Sequence, residues 1–217
     1  MTEASLQTLE NLRNLKTMQW YVIPILALVI YIYVKEIKQA IQQSNWNAVL
    51  AGLTLFGMDF INETLNGWIF HLSGYSALWT TPSKSGLTTM IGWNIEIMFM
   101  FAIAGIIYYH TLSDTKKLKI LGLPETWFWA IGYSAFCVLV EVLLNLADML
   151  IWEYPFWNRS LGGIWLIFFF GYFHFFVAII FMLSRKTIQA KIWFIGILYT
   201  IAIVMNGIGL GILGWTY

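Results

Sequence analysis

The sequence is poor in cysteine and in charge, and each shortage excludes a class of protein. Cys137 is the only cysteine, so the chain forms no internal disulfide and no cysteine-based zinc or iron–sulfur site. Charged residues make up 11% of the 217 residues and hydrophobic residues 59%, whereas a soluble domain carries about 25% charged residues. This balance excludes an ordinary soluble protein and a disordered one.

The charges that are present nearly cancel. The 12 Lys and Arg residues oppose 11 Asp and Glu residues, which leaves a net charge of +1. A nucleic-acid-binding domain needs a strongly basic surface. We therefore predict no nucleic-acid partner, and the expected surroundings of the chain are a lipid bilayer.

Long hydrophobic runs fill most of the chain, and a spanning helix needs about 20 mostly apolar residues. Six runs approach or reach this length: Trp20–Val34, Trp46–Leu72, Thr88–Tyr109, Thr126–Trp152, Leu161–Leu183 and Ile192–Trp215. The sequence predicts an all-α integral membrane protein. Its one transmembrane domain covers residues 1–217, with a bundle of six transmembrane helices in residues 19–217.

A short leucine repeat precedes the first run. Leu6, Leu9, Leu12 and Leu15 recur at every third position, with charged residues between them. This pattern is typical of a short amphipathic helix that lies in the membrane interface. We predict such a segment within residues 1–18, and a frayed, solvated terminus is the alternative.

Basic residues are distributed unevenly between the two sets of loops. Loops one, three and five carry eight of them: Lys35, Lys38, Lys116, Lys117, Lys119, Arg185, Lys186 and Lys191. The opposite side carries four: Arg13, Lys16, Lys84 and Arg159. Because cytoplasmic loops are enriched in Lys and Arg, the first set is predicted to be cytoplasmic. Both termini then face outward.

Acidic residues stand inside the predicted spans, where an Asp costs roughly 2.5–3.5 kcal/mol at a helix centre. Five of them do so: Asp59, Glu63, Glu96, Glu141 and Asp148. Such residues normally face the bundle interior or a water-filled cavity, and they are functional candidates by default. All Lys and Arg residues lie in loops or at helix ends, so we expect most of these carboxyls to be protonated.

On the second run the polar residues share one helix face. Asp59, Asn62, Glu63 and Asn66 occupy positions i, i+3, i+4 and i+7, which fall on the same side of an α-helix. The spacing predicts an acid–amide–acid stripe that faces a common cavity.

The fourth run repeats this arrangement. Glu141, Asn145 and Asp148 occupy positions i, i+4 and i+7, again one helix face. On the third run, Trp93 and Glu96 are also predicted to share a face. The three runs together predict one cavity that opens outward.

The ends of the runs supply further candidates. Residues 73–86 and 153–163 are rich in Gly, Ser, Pro and Trp, so they could form a lid over the cavity. The candidate substrate-binding residues are His71, Trp68, Trp93, Asn145, Trp152 and Asn206. An aromatic belt at the membrane boundary explains most of the five tryptophans at this end: Trp68, Trp79, Trp152, Trp157 and Trp215.

The leading functional hypothesis is an enzyme that acts within the membrane on a lipophilic, isoprenoid- or lipid-like substrate. Glu63, Glu141 and Asp148 are its candidate catalytic residues, supported by Asp59 and Glu96. Protonated carboxyls would donate to a double bond or epoxide, and aromatic faces would stabilise the positive charge. Small integral-membrane terpene cyclases and sterol isomerases are similar in size, in helical character and in their buried acids beside aromatics. The resemblance implies a cyclisation or an isomerisation.

Two other functions remain open, and in both the same acids carry the argument. A proton- or cation-coupled transporter would use them as a proton relay. An accessory subunit of a membrane complex would pair them with cations of another chain, in a homo- or hetero-oligomer. The motifs Glu-x-x-His, His-x-x-x-His and His-Glu-x-x-His do not occur, which argues against a di-iron site and a zincin. We predict no metal site and no cofactor, and a Mg²⁺ site made of carboxylates alone is the alternative. Interhelical hydrogen bonding is the structural alternative for every polar residue in the set.

Overall fold

The computed structural model of the protein is a helical bundle that describes residues 1–83, 85–113 and 118–217. Its helices are α1 (Glu3–Asn11), α2 (Val22–Gln43), α3 (Asn47–Ser73), α4 (Ile95–Thr111), α5 (Glu125–Leu146), α6 (Leu161–Ser184) and α7 (Ile188–Ile212). Two of them contain a π-helical segment, at Ile167–Phe173 in α6 and at Gly207–Ile212 in α7. The all-helical character predicted from the sequence is confirmed.

Four helices, α3, α5, α6 and α7, are long and apolar enough to cross a membrane. Helix α4 is apolar but shorter. Helix α2 has 22 residues and carries Lys35, Glu36 and Lys38 in its second half. The length and composition of the helices therefore support a membrane protein with at least four spans.

The first predicted span ends too early. Helix α2 continues past Val34 to Gln43, and Ser44 ends it in the left-handed conformation, with φ of 53°. Lys, Glu and Gln lose little side-chain freedom in a helix and favour its continuation. Lys35 and Lys38, predicted in a loop, therefore lie on the helix.

The third predicted span begins too early, because its helix starts only after Trp93. Residues Thr88–Met90 and Trp93–Asn94 pair as a short antiparallel hairpin, and α4 starts at Ile95. The Asn94 side chain accepts a hydrogen bond from Ile97 N, as an N-cap residue does. The predicted shared helix face of Trp93 and Glu96 is wrong, because a strand and a cap precede the helix.

The fourth predicted span extends too far, because its helix ends before the predicted polar stripe is complete. Helix α5 ends at Leu146, and Asp148 adopts a positive φ of 54°. The Asn145 Nδ2 donates to Leu150 O at 2.8 Å and closes this turn. The chain then enters a short strand, so Glu141 and Asp148 do not share a helix face.

Short strand pairs connect the loops: β1 (Trp79–Thr80) with β6 (Ile151–Trp152), β2 (Thr88–Met90) with β3 (Trp93–Asn94), and β4 (Lys119–Ile120) with β5 (Leu123–Pro124). The first pair joins the loop after α3 to the loop after α5. In its register Trp79 is opposite Trp152. We call the layer formed by residues 74–83, 85–94 and 147–160 the roof, because it covers one end of the bundle.

The predicted amino-terminal helix is present, but it is shorter than the leucine repeat. Helix α1 ends at Asn11, so Leu12 and Leu15 lie beyond it. Its polar side contacts the roof, where the Ser5 and Ser76 hydroxyls are 2.9 Å apart. Leu6 and Leu15 remain 48% and 71% exposed, as an interfacial segment requires.

Several predicted cytoplasmic cations lie at the end of the bundle opposite the roof. Arg185, Lys186 and Lys191 are near the junction of α6 and α7, and Lys119 is exposed on β4. The predictions for Lys84, Lys116 and Lys117 fall outside the described residues.

Helix α3 occupies the centre of the bundle and packs against α4, α6 and α7. Two glycines allow the approach of α3 and α4. A Cβ on Gly52 would lie 2.9 Å from Ala102 O, and a Cβ on Gly105 would overlap the Ala51 carbonyl. Small residues let backbones approach in this way in membrane bundles.

We expect Gly105→Ala to destabilise the protein by about 1–3 kcal/mol, because the added methyl group must push α4 away from α3. Thermal unfolding in a mild detergent measures the effect. Gly196→Ala in α7 is the matched control, since a Cβ at Gly196 has no neighbour within 4 Å. Equal melting temperatures for both variants would contradict this packing.

Candidate functional site

Three buried carboxyl side chains border one small cavity beneath the roof. Asp59 and Glu63 come from α3 and Glu141 comes from α5. The cavity has a volume of about 40 Å³. Its described lining consists of Asp59, Asn62, Glu63, Trp79, Gly92, Ile97, Phe101, Glu141, Leu150, Trp157, Gly171 and Tyr172. The acid stripe predicted on α3 and the acid predicted on α5 therefore meet at one site.

Each of the three carboxyls accepts a hydrogen bond from one indole. Trp93 Nε1 donates to Asp59 Oδ2 at 2.7 Å. Trp79 Nε1 donates to Glu63 Oε1 at 2.8 Å. Trp152 Nε1 donates to Glu141 Oε1 at 2.9 Å. Because an indole is donor only, these bonds hold one oxygen of each carboxyl and leave the other for a different partner.

The carboxyls are enclosed. Asp59, Glu63 and Glu141 are 4%, 3% and 4% exposed. Among the described residues, Glu63 Oε2 is buried and has no hydrogen-bond partner, which is costly for a polar atom. The lining as described contains no Lys, Arg or His. A proton or a water molecule is the natural partner for the second oxygen of Glu63.

The β1–β6 pair of the roof holds two of the three indoles that donate to the carboxyls. Trp79 and Trp152 face each other across the β1–β6 pair. Asn66 fixes the start of this strand, because its Oδ1 accepts from Leu78 N at 2.7 Å and its Nδ2 donates to Trp79 O at 2.8 Å. The Trp79 ring also stacks on Trp157, with centroids 5.8 Å apart. Asn66 is thus a support of the roof and lies outside the described lining of the cavity.

A π-helical segment of α6 forms the wall opposite the roof indoles. It carries Gly171 and Tyr172, which both line the cavity. The Tyr172 hydroxyl lies within hydrogen-bonding reach of Glu141. Asn62 Nδ2 donates to Phe170 O at 2.9 Å and satisfies a carbonyl of this segment. Single π-helical turns are frequent at functional sites, and this one brings a hydroxyl to the carboxyls.

The cavity has room for water and protons. A water molecule needs about 10–15 Å³ of such volume and two to four polar partners, so about 40 Å³ accommodates a small number of waters. In residues 1–83, 85–113 and 118–217, no group of three or more His, Cys, Asp or Glu residues is arranged to hold a metal ion. The arrangement is suited to holding and passing protons between carboxyls.

Asp148 is not part of this site. Its side chain is exposed in the turn after α5, so the expectation that it faces the cavity is wrong. Asn145 also departs from the prediction, because its amide closes the turn at Leu150. The cause is the early end of α5 at Leu146. Because apolar residues continue after Leu146, the sequence does not indicate where the helix ends.

Glu96 is separated from the cavity as well. Its Oε1 accepts from the Tyr21 hydroxyl at 2.6 Å and from Gly86 N at 2.5 Å. Glu96 therefore joins the start of α2 and the roof loop to the start of α4. Its place in the predicted acid group is wrong, because the hairpin before α4 changes the direction in which this residue points.

Three predicted substrate-binding residues form a different cluster, near the end of α7. His71 accepts from Thr216 N at 3.1 Å and stacks on Trp215. Trp68 contacts Trp215 edge to face. Asn206 Nδ2 donates to Thr64 Oγ1 at 2.6 Å. His71, Trp68 and Asn206 are absent from the described lining of the cavity, whereas the predicted Trp93 and Trp152 contact its carboxyls.

The aromatic-belt interpretation is wrong for Trp79, Trp152 and Trp157. Trp79 and Trp152 donate to carboxyls, and Trp157 is only 4% exposed. Tyr172 and Phe101 are lining residues that the sequence reasoning missed. Gly171, a small residue before Tyr172 in an aromatic helix, was the one local signal that could have indicated Tyr172.

The fold and the site define a polytopic helical membrane protein with a carboxyl cluster enclosed in its bundle. Residues 2–211 match the family described as "Uncharacterized membrane protein family", and the chain belongs to this family. A protein of Archaeoglobus fulgidus, named "Uncharacterized protein", is 45% identical over 176 residues, which cover 81% of each chain. No solved structure matches the chain. The protein is thus an integral membrane protein, as its sequence predicts.

We expect Trp79→Phe to lower the stability of the protein by about 1–3 kcal/mol, because it removes the indole that donates to the buried Glu63 Oε1. Thermal unfolding in detergent measures the loss. Trp165→Phe is the matched control, since Trp165 is 52% exposed on α6. An equal and small change in both variants would show that the indole bond to Glu63 contributes nothing.

Proposed function

We propose that the protein is a proton-coupled membrane transporter in which Asp59, Glu63 and Glu141 bind the coupling proton. The observation that carries this proposal is the convergence of three enclosed carboxyls on one cavity of about 40 Å³. Buried acids near the middle of a membrane bundle are suited to proton relays. A proton can bind to Glu63 Oε2, which has no hydrogen-bond partner among the described residues, without any enlargement of the cavity.

The π-helical segments supply the second argument for transport. Transporters bind substrate and coupling ions where their helices are interrupted. Helices α6 and α7 are continuous, but the regular α-helical hydrogen bonding changes to π-helical at Ile167–Phe173 and Gly207–Ile212. The first of these segments carries Tyr172 to the carboxyls. Single π-helical turns inside α-helices are frequent at functional sites, which supports a role for this segment in transport.

The proposal includes six membrane spans, formed by α2 to α7, with the basic end in the cytoplasm and both termini outside. Surface labelling of introduced cysteines tests it. In a Cys137→Ala background, we expect Arg159→Cys to react with an impermeant maleimide in sealed right-side-out vesicles. Lys186→Cys should react only after lysis. Labelling of both variants before lysis would contradict the six-span arrangement.

Infrared difference spectroscopy tests whether the cluster exchanges a proton. We expect the protonated-carboxyl C=O band of the protein in vesicles to disappear as the pH rises. Glu63→Gln and Glu141→Gln should each remove part of this change, because an amide cannot release the proton. Asp148→Asn is the matched control, since Asp148 is exposed outside the cavity. A band that is equal in all four proteins would contradict proton binding by the cluster.

Flux measurements then test the coupling. The protein is reconstituted into vesicles that contain a pH dye, and a pH gradient is imposed. Pools of candidate solutes are then added to the vesicles. We expect at least one pool to accelerate proton movement with the wild-type protein and Asp148→Asn. Glu63→Gln should abolish the acceleration. If the carboxyl band depends on pH but no solute accelerates proton movement, the result would indicate that the cluster donates protons and that the protein is not a transporter.

The aromatic lining favours a second candidate, an intramembrane enzyme that acts on a lipophilic substrate. Trp79, Trp157, Phe101 and Tyr172 surround the carboxyls, and aromatic faces stabilise positive charge. The cavity volume opposes it, because an isoprenoid needs more space than a few waters. Native mass spectrometry distinguishes the two: a retained apolar molecule that Glu141→Gln loses would favour the enzyme. The accessory-subunit alternative has less support, since the carboxyls are enclosed by their own chain.

A further inference from the structure

A second, much larger cavity lies at the end of the bundle opposite the roof. Its volume is about 1,190 Å³, slightly more than the roughly 300–1,000 Å³ of a typical small-molecule site. The ends of α2, α4 and α6 and the beginnings of α3, α5 and α7 surround it. We call it the basic cleft, because its described lining includes Arg185, Lys186 and Lys191.

The acids of the basic cleft are already engaged by protein groups. Glu36 Oε2 lies 2.9 Å from His110 Nε2. Glu125 Oε2 accepts from Ser113 N at 3.0 Å and from Ser113 Oγ at 2.6 Å. Both glutamates are nearly buried, at 7% and 8% exposed. They therefore do little to attract a cation from solution.

Two cations of the cleft, Arg185 and Lys186, are arranged differently. Arg185 lies over the Phe181 ring and donates to Phe181 O at 3.3 Å and to Ser184 Oγ at 3.1 Å. These bonds hold one edge of the guanidinium, which has five N–H groups. Lys186 is exposed. Held in this way, Arg185 presents a preorganised donor to an anion.

The cleft also has an apolar wall, which includes Leu112, Leu118 and Leu183. A simple surface patch of basic residues has no such wall. Polar groups that converge beside apolar side chains are typical of a site for an organic molecule. The lining therefore fits a ligand with an anionic group, and the apolar wall leaves space for an apolar part where the ligand has one.

We propose that the basic cleft binds a ligand with a phosphate or carboxylate group, held by Arg185 and Lys186. The anion comes from a phospholipid headgroup or from a soluble organic acid or phosphate, which share the same recognition chemistry. This site is separate from the carboxyl cluster, and the proposal does not depend on proton coupling.

Native mass spectrometry of the full chain in a neutral detergent tests the proposal. Phosphatidylglycerol and phosphatidylcholine are the lipid probes, and inorganic phosphate and citrate are the soluble probes. We expect the wild-type protein to retain phosphatidylglycerol over phosphatidylcholine, or to bind phosphate or citrate saturably. Preferential retention of phosphatidylglycerol identifies the lipid as the source, and saturable binding of phosphate or citrate identifies a soluble anion. Added salt should weaken either interaction, because the charges are partly exposed.

The variants assign the binding to the cleft. The double variant Arg185→Gln, Lys186→Gln should lower the affinity about tenfold, whereas Arg185→Lys with Lys186 intact should retain most of it. Arg159→Gln is the matched control, since it removes an exposed cation at the roof end. Lys186→Gln alone, at an exposed position, is the second measurement if the double variant does not fold. Equal binding by all variants, or no preference for any anionic probe, would overturn the proposal.

Discussion

The indole–carboxyl hydrogen bond is the interaction on which the rest of this structure depends. A carboxyl group within a membrane bundle needs a partner, and among the described lining residues of the cavity no basic side chain supplies one. Trp93, Trp79 and Trp152 each donate to one of the three acids. An indole donates a hydrogen bond and adds no charge, so it satisfies one carboxyl oxygen without forming an ion pair.

This constraint explains why the roof is built as it is. All three donors come from short strands of the roof, outside the helices α3 and α5 that carry the acids. The β1–β6 pair holds Trp79 and Trp152 against two helices at once, and Asn66 anchors it to α3. The packing of the roof and the chemistry of the cavity are therefore parts of one arrangement.

The sequence predicted the contribution of α3 to the site because that helix is continuous from Asn47 to Ser73, so the helical periodicity applied throughout. It failed at Asp148, where the apolar residues continue but the helix does not. It also failed for Trp79 and Trp152, since a pairing between two distant loops leaves no local pattern. The membrane class followed from composition alone, and the sidedness of the chain remains a prediction.

Tyr172 could not be predicted from a period of 3.6 residues, because the π-helical segment shifts the phase of α6. A π turn accommodates one residue more than the α-helix that it interrupts, and each residue of an α-helix turns by about 100°. Loss of one residue near Gly171 would restore a regular helix and rotate the side chains on one side of the deletion. Within this family, an insertion or deletion at this point would thus change the wall of the cavity more than most single substitutions. The number of residues in this stretch of a relative's sequence therefore indicates whether that relative keeps the hydroxyl of Tyr172 beside Glu141.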